Sequence, residues 1–186
     1  MPGQTWPRAA ASFLATWVVM MVAMMLPSLV PTLVRYRQAV GRTGEARLEG
    51  LTALVGVGYF LVWTVIGMAA FPLGIALTSA EIWLPALSRA VPIAAGVVVF
   101  IAGVLQCTEW KAHHLARWRE SPGRGRTLPA DAGTAWRHGL RLGLHCSCCC
   151  AGLTAILPVI GVMNLRVMAA VAAAITVERF APSGER

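Results

Sequence analysis

Trp17-Val18-Val19-Met20-Met21-Val22-Ala23-Met24-Met25-Leu26-Pro27-Ser28 lies inside an apolar run over residues 10–34 that contains no Asp, Glu, Lys or Arg. At 1.5 Å per residue a helix of that length crosses the ~30 Å of hydrocarbon in a bilayer. The run is longer than a secretory leader and lacks an A-x-A cleavage site, so it reads as a retained anchor. Similar runs follow at 51–77, 87–107, 138–160 and, shorter, 167–178. Phe71-Pro72 is expected to kink the second. The fifth is short enough to need help from its flanks or to lie partly at the interface. Residues 108–137, rich in Arg, Gly and Pro, form the long polar connection, much of it loop. The expected fold is all-α, a polytopic integral membrane helix bundle of about five transmembrane helices in one domain, 1–186.

Composition agrees. Apolar residues make up 57% and charged residues 13% of the 186 positions. Soluble domains run nearer ~25% charged, because water-facing surface has to be solvated. The net charge of +8 is no sign of nucleic acid, since no nucleic-acid motif accompanies it and the basic residues fall between apolar runs. Five spans put Arg35, Arg37, Arg42, Arg47, Lys111, Arg117, Arg119, Arg124, Arg126, Arg137, Arg141, Arg179 and Arg186 on one side. Arg8, Arg89 and Arg166 fall on the other. Positive charge marks the cytoplasmic face. The expected place is a bacterial inner (cell) membrane, crossed several times, with the N-terminus outside and the C-terminus cytoplasmic.

Two clusters carry potential chemistry. On a helix Met21, Met24 and Met25 share a face with Trp17 and Ser28, and Met20 pairs with Met24 at i, i+4. Pro27 cannot donate to the carbonyl of Ala23, which softens the backbone beside the thioethers. Packing is the bland alternative, since Met fills irregular apolar interfaces. The second cluster is His145-Cys146-Ser147-Cys148-Cys149-Cys150. Cys146 pairs with Cys149 at i+3 and with Cys150 at i+4, and His145 pairs with Cys149, so each pair lies on one helix face. Thiolate, thioether and imidazole suit soft or borderline ions such as Cu(I) and Zn(II). The spacing is useless as a disulfide framework, and Cys as a small hydrophobe is the bland alternative. Counting inward from opposite sides puts Met24 and Cys148 near the middle of the bilayer, so a shared site between the first and fourth spans is geometrically allowed. Cys107, Glu109, Lys111, His113 and His114 stand at the mouth of the third span, where snorkelling competes with ion entry as an explanation. Glu178, at the inner end of the last span, is close enough to Arg179 and the headgroups to be satisfied by them. There is no G-x-S-x-G, H-E-x-x-H or phosphate-binding Gly loop, so an enzyme is not the favoured reading.

The ordered set Trp17-x-x-Met20-x-x-Ala23-Met24-Met25-x-Pro27-Ser28, Pro31, Gly58-Tyr59, Trp63, Gly103, Gln106, Lys111, Cys146-x-x-Cys149-Cys150 and Gly161-Val162-Met163-Asn164 resembles an uncharacterised bacterial family described as predicted metal-binding integral membrane proteins. His114 and Trp118 stand where that family tends to have cysteines, and Cys148 where it tends to have glycine. The resemblance implies metal binding, copper before other ions, and no particular reaction.

The expected function is a membrane-embedded soft-metal site for copper handling or delivery. Met20, Met24, Met25, His114, Cys146, Cys149 and Cys150 are its candidate ligands, with Cu(I) preferred over Zn(II). The rivals are an intramembrane thiol redox protein and a structural subunit of a membrane complex. The expected partners are the lipid bilayer, the metal ion, and a membrane-protein partner or second copy, with no nucleic acid.

Overall fold

The computed structural model describes residues 6–41, 44–83, 85–106, 108–109, 113, 116–117, 127–160 and 165–180. These residues form five long helices and contain no strand: α1 Trp6–Val40, α2 Glu45–Trp83, α3 Pro85–Gln106, α4 Ala132–Ile160 and α5 Leu165–Phe180. The apolar stretches 10–34, 51–77, 138–160 and 167–178 fall within α1, α2, α4 and α5, which run further into the polar flanks, and 87–106 falls within α3, Cys107 lying outside the described residues. Helix-favouring residues such as Glu45, Arg47, Leu48 and Glu49 carry α2 outward from its apolar part. Gly41, at φ 75°, ends α1 in the left-handed region. Pro27 and Pro31 are taken into α1 and Pro72 into α2. The short fifth span is a 16-residue helix, about 24 Å long, because Arg166 and Glu178 to Phe180 extend it. Among the described residues two helical segments, Trp6–Val40 and Glu45–Ala76, are long and apolar enough to cross a membrane by length and composition.

Burial follows the helical period. On α1 the buried residues are Met20, Met21, Met24, Met25, Ser28, Leu29, Thr32, Tyr36 and Val40, which recur every three or four positions along one face. Leu51, Val55, Tyr59 and Trp63 continue the core on α2, Leu142, Cys146, Cys149 and Cys150 on α4, and Val171, Ile175 and Arg179 on α5. The opposite faces are apolar and open. Val19, Leu26, Val30 and Val34 on α1, Val57, Leu61, Val65 and Met68 on α2, and Ile93, Val97, Phe100 and Val104 on α3 are all exposed. Polar side chains at Ser28, Thr32 and Arg179 are buried instead. Apolar side chains thus fill the core and also cover much of the outward surface of α1, α2 and α3.

α2 and α4 meet across glycine. A Cβ on Gly139 would strike the backbone of Val55, with its Cα at 3.0 Å and C at 3.1 Å. One on Gly143 would lie 2.9 Å from the Tyr59 carbonyl oxygen, and one on Gly58 would lie 3.2 Å from the Trp136 carbonyl oxygen. Gly139-x-x-x-Gly143 is thus a small-x-x-x-small face that lets the two backbones touch. α1 is pinned to α2 by the Trp17 indole, which donates to the Trp63 carbonyl at 2.9 Å.

The polar ends of α1, α2 and α4 are clipped together. Leu128 N–H donates to the Ala39 carbonyl at 2.9 Å, and Arg47 donates to the Ala130 carbonyl at 2.7 Å. Asp131 starts α4, accepting from Thr134 Oγ1 at 2.6 Å, Thr134 N at 2.8 Å and Gly133 N at 3.0 Å. The hydroxyl of Thr134, then its N–H and that of Gly133, hold the Asp131 carboxyl below the usual carboxylate range. A carboxyl lowered by folding contributes stability that is full above its unfolded value and fades as pH falls through its folded one. Acidification from pH 5 to pH 3 is therefore expected to fray the first turn of α4, read as faster amide exchange at Gly133 and Thr134, and Asp131→Asn is expected to flatten that pH dependence.

Candidate functional site

Helix spacing decides which side chains meet. On α4, i, i+3 and i+4 put Cys146, Cys149 and Cys150 on one inward stripe. On α1 the same rule aligns Met21, Met24, Met25 and Ser28. All seven are buried, and the methionines and cysteines belong to one core cluster that also holds Tyr59, Trp63, Val171 and Ile175.

Cys146 is the hub. Its sulfur lies 4.0 Å from Met25 Sδ, 2.8 Å from the Tyr59 hydroxyl and 2.7 Å from Arg179 Nη2. The same Nη2 lies 3.2 Å from Cys150 Sγ and 3.9 Å from Cys149 Sγ. Arg179 Nη1 donates to Ser28 Oγ, and the Ser28 hydroxyl in turn donates to the Met25 carbonyl at 2.9 Å. Cys149 Sγ is 3.2 Å from the Cys146 carbonyl and 3.8 Å from Cys150 Sγ. α1, α2, α4 and α5 each supply at least one atom.

The electrostatics are unusual for an apolar core. Guanidinium cannot lose its proton under ordinary conditions, and a buried charge persists only when its donors are satisfied. Three sulfurs and a hydroxyl ring the head of Arg179. The donor set is soft, combining a thioether with three thiol groups, and suits a soft cation. The point on which the three cysteine sulfurs converge is taken by nitrogen. Among the described residues no three of His, Cys, Asp and Glu are already drawn together tightly enough to hold an ion.

Residues 14–186 match the family model of PpoB2, described as a copper chaperone. The chain belongs to that family. No curated protein and no solved structure shows significant similarity to it.

The stretch shared with the PpoB2 family contains every residue of the site. Of the ligand candidates read from sequence, Cys146, Cys149 and Cys150 come together around Arg179, and Met25 meets Cys146. Met20 and Met24 are buried in the same cluster beside this group. His114 lies outside the described residues, as do Cys107, Lys111 and the stretch 161–164. Glu109 and His113 are exposed, and His145 and Cys148 are half-buried.

Two site residues escaped the sequence reading. Tyr59 entered only as part of a Gly-Tyr motif, yet its hydroxyl touches Cys146. Arg179 was counted among the cytoplasmic flank charges and assigned to Glu178. It points inward instead, because it continues the Val171–Ile175 stripe at i+4 and finds sulfur and hydroxyl acceptors there. The available signal was that four-residue period carried through the last apolar turn into a charge.

Proposed function

We propose that the chain is a membrane-embedded Cu(I)-handling protein whose cargo binds at Cys146, Cys149 and Cys150 with the thioether of Met25, and that Met20 and Met24 line its approach. The observation that carries this reading is the gathering of one thioether and three thiol sulfurs from α1 and α4 in a single buried cluster. Membership of a family described as copper chaperones supports copper as the ion. A soft monovalent ion prefers sulfur to water or carboxylate oxygen, so such a cluster needs no carboxylate ligand. His114 would serve as an entry ligand.

The apolar outward faces of α1, α2 and α3 support a bilayer as the surroundings, since exposed Val, Leu, Ile and Phe are at home in lipid and costly in water. The exposed Arg47, Arg137 and Arg141 gather at the end where α1, α2 and α4 are clipped, which supports a cytoplasmic location for that end in a bacterial inner membrane. A homo-oligomer or a second membrane protein would complete delivery by taking the ion on.

Replacing Cys146, Cys149 and Cys150 together by Ser is expected to remove stoichiometric copper from protein purified in detergent after Cu(I) loading. Metal analysis that finds the same copper content in the triple variant would sink the assignment.

A further inference from the structure

A cation already stands where the cargo would go. Arg179 Nη2 lies 2.7, 3.2 and 3.9 Å from the three cysteine sulfurs. A metal ion bonded to those sulfurs would occupy nearly the same point, and two positive charges that close repel strongly in a low-dielectric core. The guanidinium has to leave for copper to enter. It cannot simply lose its charge, so it needs a second buried or solvated resting place.

The structure supplies one. Thr32 lies one helical turn beyond Ser28 on the same face of α1, about 6 Å along the axis. Thr32 is 1% exposed and Tyr36 0% exposed, and neither the Thr32 hydroxyl nor the Tyr36 hydroxyl has a hydrogen-bond partner among the described residues. Tyr36 stacks on His138 at 5.3 Å between ring centroids, and His138 Nε2 is equally without a partner. Buried polar groups are nearly always paired, so a run of orphans needs a reason. Ser28, Thr32 and Tyr36, at i, i+4 and i+8, are buried hydroxyl-bearing residues on one face of α1, successive turns leading from the sulfur cluster toward the clipped end of the bundle. Of the three, only Ser28 is bonded to Arg179.

We propose that Arg179 is a resident cation exchanged for Cu(I): as the metal takes the sulfurs, the guanidinium steps from Ser28 down to the hydroxyls of Thr32 and Tyr36. The step rests on the reading that the sulfur cluster binds Cu(I). It involves no electron transfer. Each thiol that becomes a copper ligand releases its proton to solvent, and Arg179 remains close enough to balance the negative copper–thiolate group. Without copper the guanidinium keeps the sulfurs apart and excludes other ions. With copper it rests one turn away, where its attraction to the copper–thiolate group offsets only part of the cost of leaving the sulfurs. Arg179 is thus a positioning residue, and its two dockings are the two states that the metal selects between.

The test uses the full chain in detergent, with Cu(I) affinity read by competition against a chromophoric Cu(I) chelator. Arg179→Met removes the competitor while keeping an apolar side chain of similar reach, and is expected to tighten Cu(I) binding about tenfold. Thr32→Val removes the second docking point and is expected to weaken binding three- to tenfold. In the Arg179→Met background, Thr32→Val is expected to do nothing, because the two residues act as one unit. An independent readout is the Arg179 side-chain NMR signal of the wild-type protein, expected to shift on Cu(I) loading and assigned by its absence from Arg179→Met or, should that variant fail to fold, from the charge-conserving Arg179→Lys. Unchanged or weaker Cu(I) binding by folded Arg179→Met, equal effects of Thr32→Val in both backgrounds, or a stationary arginine signal on loading would overturn the exchange while leaving the sulfur site standing. A wild-type protein that binds no Cu(I) would overturn both.

Discussion

Cys146→Ser alone is expected to lower Cu(I) affinity on the order of 100-fold or more, and by more than either Cys149→Ser or Cys150→Ser. Cys146 is the sulfur on which four helices converge. It faces Met25 of α1, Tyr59 of α2 and Arg179 of α5. Loss of a group that merely orients a ligand costs roughly 10–100-fold in metal affinity, and loss of the central ligand exceeds that. Serine keeps the size and the hydrogen bonds but offers a hard oxygen to a soft ion. Competition with a Cu(I) chelator measures all three variants on one scale. Equal losses for the three would mean that the hub geometry has no bearing on binding. A fall in affinity accompanied by loss of helical structure would point to folding instead, so circular dichroism accompanies each titration.

Gly139→Ala, a single methyl, is expected to destabilise the protein by about 3 kcal/mol, the upper end of what added core methylenes usually cost. The cause is that the added carbon meets the backbone of Val55 and not a side chain that can rotate away. α2 and α4 have to separate. One turn further on, Gly143 packs against the Tyr59 carbonyl, so separation also lengthens the 2.8 Å contact between Tyr59 and Cys146. Stability and copper affinity are expected to fall together. The control is Gly56→Ala on the facing helix α2, where an added carbon meets nothing within 4 Å and little change is expected. Thermal unfolding in detergent that ranks Gly56→Ala below Gly139→Ala would mean that the two helices are not held by this contact.

Much of this was legible in the chain. Apolar runs between basic segments announce helices, because hydrophobic length is read directly from composition. The inward stripes of methionine and cysteine were legible too, since i, i+3 and i+4 spacing is a local property of one helix. What escaped depends on neighbours. Arg179 follows eleven uncharged residues, 167–177, and Glu178, and in one dimension resembles any flank charge. Only the presence of sulfur and Ser28 on α4 and α1 makes the inward orientation favourable. Tyr59 looked like part of a motif because its partner is 87 residues away. The close approach of α2 and α4 depends on which helix lies opposite Gly139 and Gly143, and spacing alone does not name Val55. The helix ends lie beyond the apolar spans for another reason: charged residues with good helical propensity, such as Glu45 and Arg47, continue a helix past the limit of its apolar part.

The contributors to the cluster, Met25, Tyr59, Cys146 and Arg179, are scattered along nearly the whole chain, with Cys146 121 residues from Met25 and 33 residues before Arg179. Contacts so distant in sequence form late. During synthesis the cysteines emerge after Met20, Met21, Met24 and Met25, and Arg179 follows them. A half-made chain therefore has thiols without the guanidinium that joins them to Ser28, and the cluster is complete only once α5 has been made.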